Sequence, residues 1–295
     1  MRFLFLPIAA LAFTTGPRAP EPTARPVVVF VHGRGHLDAD SAALRREWKR
    51  DLDSALATVG LPRLADEDVR LAWYGDALDP SFREPCARAT ESDSLGLESL
   101  VHGFISALAD AIPKNESPET RALLGDVLYV MDPSTRCAAE RRVGTVVERA
   151  LAERRPVVIV AYSLGSMVTY GYLNSRRPDS TRNGSLRLIT VGSPLGNREL
   201  RGLLGGVDSL RIPPEVISWD NVYDPNDLFA APLDFKVSTR VVRDRVTKAV
   251  DANTAHHVRR YLRDRETGSA VGRALCAHNP SVSQACRSLL RPETS

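Results

Sequence analysis

Two stretches of the chain, Pro26-Val-Val-Val-Phe-Val31 and Pro156-Val-Val-Ile-Val-Ala-Tyr162, are apolar and mostly β-branched without a break. A strand exposed on one face alternates apolar and polar residues. A strand with no polar residue is buried on both faces, as happens in a parallel sheet held between two layers of helices. Residues 69–74, 186–191 and 216–219 read as further strands, with 237–242 as another. Helical periodicity occupies 41–59, stopped by Gly60-Leu61-Pro62, and then 137–154, 164–173, 258–265 and 269–277. Strands that alternate with helices across long crossovers predict an α/β fold with a doubly wound, mostly parallel sheet flanked by helices. Residues 76–134, with helical stretches at 95–112 and 120–131, exceed what one crossover needs. They are expected to form a helical insert, a cap over the sheet edge, within a single domain spanning 26–295.

The chain has 295 residues, of which 43% are hydrophobic and 25% charged, enough to bury a substantial core. Its formal net charge of +3 is spread along the sequence without a dense basic block, so no nucleic-acid partner is expected. Arg2 followed by an apolar run from Phe3 to Phe13 is too short to span a bilayer and reads as a secretory signal peptide at 1–16. A Pro/Ala-rich linker follows at 17–25. The four cysteines, Cys86, Cys137, Cys276 and Cys286, are an even number suited to an oxidising compartment. Three pairings are open, of which Cys86–Cys137 with Cys276–Cys286 is the most local. The expected location is secreted or periplasmic.

The segment from Val158 to Ser166 joins a buried strand to a helix through Ala161-Tyr162-Ser163-Leu164-Gly165. Small-x-Ser-x-Gly on such a turn strains the serine backbone and presents its hydroxyl at the carboxyl end of the sheet. The flanking positions must be small because they crowd each other, and Ala161 and Gly165 meet that need. The following helix directs its first amides toward the serine, which favours an anionic intermediate. Ser163 is therefore the candidate nucleophile.

With Val28-Val29-Phe30-Val31-His32-Gly33 and Thr190-Val-Gly-Ser-Pro-Leu-Gly196, this turn resembles the lipase/esterase branch of the α/β-hydrolase superfamily. The likeness spans about residues 26–261. Two departures are visible. Ala161 stands where the common motif has Gly, and Tyr162 stands where many relatives have His. The resemblance implies an oxyanion hole formed by the amide of Gly33 or Arg34 and by that of Leu164. It also implies the chain order Ser, then Asp or Glu, then His. Candidate acids are Asp220, Asp224 and Asp227, and the spacing found in relatives maps onto Asn221 and Asp227. Asp224 is the alternative. Of six histidines, only His256 and His257 follow the acid and precede the last cysteine pair. The Ala-His…Tyr pattern of relatives favours His256, with Tyr261 downstream.

The implied chemistry is carboxylic-ester hydrolysis through an acyl-enzyme, with no metal or organic cofactor. The expected partner is a small-molecule or lipid ester, and a peripheral lipid surface is a candidate. An acyltransferase, thioesterase or peptidase using the same residues, or a non-catalytic scaffold that binds a partner, are the alternative readings. Pocket walls are expected from the insert and from 194–213, including Leu200, Leu203 and Leu204.

Overall fold

Strand β1 (Val27–Val31) has five residues and no exposed one, and the alternation of its side chains shows where they go. Val27, Val29 and Val31 enter one core layer, while Val28 and Phe30 enter the other. Burying each such side chain contributes about 1.5–3 kcal/mol. A strand of this kind is stable only with helices on both sides. The computed structural model supplies them. It describes residues 24–34, 40–79, 86, 129–130, 132–176, 186–197, 210–233, 241–247, 255–278 and 283–291.

Six strands form one sheet: β1, β2 (Val69–Ala72), β3 (Val157–Tyr162), β4 (Leu186–Val191), β5 (Val216–Tyr223) and β6 (Val241–Val246). Their spatial order is β2-β1-β3-β4-β5-β6, and every neighbouring pair is parallel. All carboxyl ends therefore lie along one edge. Helices α2 (Pro133–Ala152) and α3 (Leu164–Ser175) pack on one face through Val143, Val147, Met167 and Val168. Helices α1 (Ser41–Thr58), α4 (Val258–Arg263) and α5 (Arg265–Cys276) cover the other through Trp48, Leu52, Tyr261 and Val271. A short α6 (Gln284–Leu289) follows.

Helix starts are set by capping. The Asp40 side chain accepts from the amides of Ala42 and Ala43 at the start of α1. Asp132 does the same for Ser134 and Thr135 in α2, where Pro133 occupies the first turn. The α/β class and the parallel sheet agree with the reading of the sequence. Several boundaries differ. β5 continues past Trp219 to Tyr223, because Asp220 and Asn221 find partners on neighbouring strands. β6 lies at 241–246 rather than 237–242. The predicted helices at 258–265 and 269–277 become α4 and α5, which meet at Asp264, the N-cap of α5. The expected helix 95–112, most of 120–131, the bulk of the insert and the proposed signal segment lie outside the described residues.

The cysteines form two disulfides, Cys86–Cys137 and Cys276–Cys286, with Cα separations of 5.6 and 5.2 Å. This is the most local of the three pairings. Among the described residues, no helix is long and apolar enough to cross a membrane.

Candidate active site

Ser163 occupies the single residue between β3 and α3, with φ 51° and ψ −126°. This backbone is strained for a residue with a Cβ, at a cost of about 1–3 kcal/mol that the surroundings must offset. The Ser163 amide donates to Val191 O at 3.1 Å, and its carbonyl accepts from Ser166 N at 2.9 Å. The Ser166 hydroxyl adds a bond to the same carbonyl at 2.6 Å and meets the Ser193 hydroxyl at 2.7 Å. The turn also requires Gly165, since a Cβ there would lie 2.2 Å from the His32 carbonyl oxygen. Gly33 is also crowded, though less tightly. A side chain on it would meet the Tyr162 ring at 2.8 Å and Ser163 Cβ at 3.2 Å.

The serine hydroxyl is 2.9 Å from His256 Nε2. On the far side of the imidazole, Nδ1 is 2.7 Å from Asp227 Oδ2. Burial alone would raise the Asp227 carboxyl pKa. Hydrogen bonds from His256 and Tyr261 outweigh burial and hold it below the ordinary value. The carboxylate is ionised and has no proton to donate, so His256 Nδ1–H is the donor. Nε2 is then left as the acceptor for the serine hydroxyl. Exposure is graded along this line: the Asp227 side chain is sealed at 0%, and that of His256 is 21% exposed.

Three other contacts fix the relay. Tyr261 Oη donates to Asp227 Oδ2 at 2.7 Å and accepts from Asp224 N at 3.1 Å. The Phe229 amide donates to Asp227 Oδ1 at 3.0 Å. Tyr162 Oη donates to the His256 carbonyl at 2.5 Å. Burial first, and then Asp227 (its charge for Tyr162, its hydrogen bond and charge for Tyr261), push both phenol pKa values up, so both remain donors at neutral pH. Below the loop that carries Asp227 runs a polar ladder across the sheet. Thr190 Oγ1 donates to Asn221 Oδ1, and Asn221 Nδ2 reaches Asp244 Oδ1 and the Ala231 carbonyl. Asp244 in turn accepts from Leu233 N, so β6 grips the end of the loop.

The alternatives separate on geometry. Asp224 is fully buried and pairs with Arg260 at 2.9 Å while accepting from Asn226 N, so it organises the turn. Asp220 belongs to β5 and pairs with Arg245 at 2.7 Å. His257 is exposed and caps α4 through Arg259 N. His32 stacks on Tyr74 with ring centroids 4.1 Å apart and accepts from Tyr74 N, so its Nδ1–H is directed at Gly33 O 2.7 Å away. Histidines 36 and 102, and leucines 200, 203 and 204, lie outside the described residues. Among the described residues, no group of three or more His, Cys, Asp or Glu is arranged to hold a metal ion.

Leu164 begins α3, so its amide has no acceptor within the helix, and Gly33 lies close against Ser163 Cβ. Two further side chains lie beside the imidazole. Phe229 lies 4.8 Å from the His256 ring and is 43% exposed, and Arg34 stacks over Phe229 at 5.4 Å. Neighbouring Leu228 is 92% exposed. Sequence reasoning placed Asp227 ahead of this pair but did not foresee that Phe229 would rest on the imidazole. It also gave no role to the hydroxyl of Tyr162. The departure from His at that position was the available signal. No known protein-family model matches the chain, and no curated protein sequence is similar to it.

Proposed function

We propose that the chain is a serine hydrolase of the α/β-hydrolase type that cleaves carboxylic esters through an acyl-enzyme. The observation that carries this reading is the continuous hydrogen-bonded line from Ser163 Oγ through His256 to Asp227, beginning on a strained turn at the carboxyl edge of a parallel sheet. His256 Nε2 takes the hydroxyl proton as Ser163 Oγ attacks the ester carbonyl. Asp227 holds the imidazole in the accepting tautomer and stabilises the imidazolium that forms. The oxygen of the tetrahedral intermediate is met by the Leu164 amide and by that of Gly33 or Arg34, each such donor contributing about 3 kcal/mol to the transition state. Collapse returns the proton from His256 to the leaving alcohol, and water repeats the sequence on the acyl-enzyme.

The exposed apolar pair Leu228–Phe229, with Phe229 against the His256 ring, supports a lipophilic ester, from solution or a lipid surface, as the substrate class. The two disulfides support an oxidising compartment, as a secreted or periplasmic chain would meet. An alkyl fluorophosphonate carrying a fluorophore tests the assignment. Wild type is expected to label at one site, and Ser163→Ala not at all. Labelling that persists undiminished in Ser163→Ala sinks the nucleophile assignment. A series of p-nitrophenyl esters of rising chain length then reads the substrate class, with longer acyl chains expected to lower KM.

A further inference from the structure

The acid and the base of the relay sit on two turns that are separate in the chain. Asp227 closes a turn that starts at Asp224, whose carbonyl accepts from Asp227 N at 2.9 Å and whose side chain accepts from Asn226 N at 2.8 Å. His256 shares a turn with the buried Ala255, just ahead of α4. Arg260, within α4, reaches both. A single nitrogen of its guanidinium, Nη2, is 2.9 Å from Asp224 Oδ2 and 3.0 Å from the Ala255 carbonyl oxygen. That nitrogen carries two hydrogens and can donate to both acceptors at once. Nη1 lies 3.4 Å from Thr247 Oγ1, just past β6. The guanidinium carbon stands 4.6 Å from the centre of the Tyr261 ring, whose hydroxyl binds Asp227. Its charge also opposes the upward pKa shifts of Tyr162 and Tyr261, so it is felt on both sides of the relay. The Asp224 side chain is wholly enclosed and that of Arg260 is 18% exposed. An enclosed ion pair of this kind is tolerated only in a well-made geometry, which fixes where each partner stands.

We infer that Arg260 is a positioning residue of the relay: by bonding the turn of the acid and the turn of the base through one nitrogen, it sets how Asp227 and His256 stand to each other. The inference rests on the hydrolase reading, in which that geometry governs how well His256 takes the Ser163 proton. Arg260 acts through Asp224 on one side and Ala255 on the other. Tyr162 does a matching task from a third direction. Consecutive carbonyls of the base's turn, those of Ala255 and His256, are thereby held, one toward the acid's turn and one toward the strand that carries the nucleophile. The planar guanidinium suits this use, because its hydrogens leave in fixed directions and hold several acceptors in one plane. Helix α4 also contains an internal comparison. Arg263 is 2.7 Å from Asp51 of α1, another enclosed carboxylate, and Arg259 is 3.6 Å from the same oxygen. The Arg263–Asp51 pair ties helix to helix and involves neither turn.

Two readouts on the full chain test the inference: the far-downfield proton resonance of His256 Nδ1–H, which reports its hydrogen bond to Asp227, and the rate of Ser163 labelling by the fluorophosphonate. Arg260→Met keeps an apolar stem against Tyr261 and removes every donor. Where the lone Asp224 charge prevents folding, the double variant Arg260→Met with Asp224→Asn removes both charges and leaves an oxygen for Asn226 N. In the folded variant the resonance is expected to move upfield or exchange away. Labelling should slow about 10–100-fold, as a displacement of about 1 Å in a reacting group does. Arg263→Met is expected to lower the denaturant midpoint and leave both the resonance and the labelling rate as in wild type. An unchanged resonance in the folded Arg260 variant overturns the inference, and so does an equal loss in Arg263→Met, which would assign the effect to docking of α4. Absence of labelling in wild type overturns the hydrolase reading instead, while the resonance still reads the part played by Arg260.

Discussion

One hydroxyl, that of Tyr261, joins the acid of the relay to the turn that carries it: it donates to Asp227 and accepts from Asp224 N. Tyr261→Phe deletes both bonds and leaves the buried Asp224 amide without its acceptor. Denaturant melts should show a loss of about 1–3 kcal/mol at neutral pH. The pH dependence follows from the sign of the Asp227 shift. Its folded pKa is lowered, so its contribution is complete at neutral pH and is lost as pH falls through the region below 3.8. The variant, with a carboxyl nearer its ordinary pKa, should lose less stability across that region than wild type. An equal acid dependence in both would show that Tyr261 does not tune Asp227. Gly165→Ala is expected to be more disruptive than its size suggests, costing at least about 3 kcal/mol, because the new methyl meets the backbone oxygen of His32 rather than a side chain able to move. Small residues around Ser163 were readable in sequence, since crowding at a tight turn is a local constraint. The roles of Tyr162 and Tyr261 were not, because their acceptors lie 94 and 34 positions away along the chain.

Elements were most legible where burial alone decides them. β1 and β3 lack polar residues, and their bounds agree with the sequence to within a residue. β5 and β6 were misjudged because their polar residues look like strand ends. In the fold, Asp220 meets Arg245 and Asn221 bridges Thr190 to Asp244, so pairing replaces apolar burial along the outer half of the sheet. The registers of β4 with β5 and of β5 with β6 create those pairs, and a single strand read alone does not reveal them. Helix starts obey a more local rule. Asp40 satisfies two amides of α1, and Asp40→Ala should cost about 1 kcal/mol, read as a lower urea midpoint with an unchanged slope. Asp40→Asn should keep most of that stability. If it loses as much as the alanine variant, charge rather than capping is responsible.

The molecule as a whole is held by two apolar layers on either side of one sheet and by two covalent links. Cys86–Cys137 closes a separation of 51 residues and fastens the region after β2 to α2. Cys276–Cys286 closes 10 and ties α6 to the end of α5. On loop-closure entropy the first contributes about 4 kcal/mol and the second about 3 kcal/mol. Replacing each pair by alanine should lower stability in that order, and reductant should destabilise wild type while leaving the doubly replaced chain unaffected. The cysteine count announced disulfides, but the sequence left three pairings open. The α2 and α5 helices settle the choice by bringing Cys137 and Cys276 beside their partners.

The positions of the three relay residues along the chain bear on how the protein comes into being. Ser163 precedes His256 by 93 positions, and Asp227 lies between them. During synthesis the serine turn emerges well before the imidazole that hydrogen-bonds to it. Until the segment carrying α4 docks beside α1 and β4, Ser163 has no imidazole next to its hydroxyl. A chain stalled or cut before residue 256 can keep β1 to β4 and still have no proton acceptor beside its serine. On the proposed function, reactivity at Ser163 would be a certificate of finished assembly, and a probe of that hydroxyl would measure how much of the protein has been built correctly.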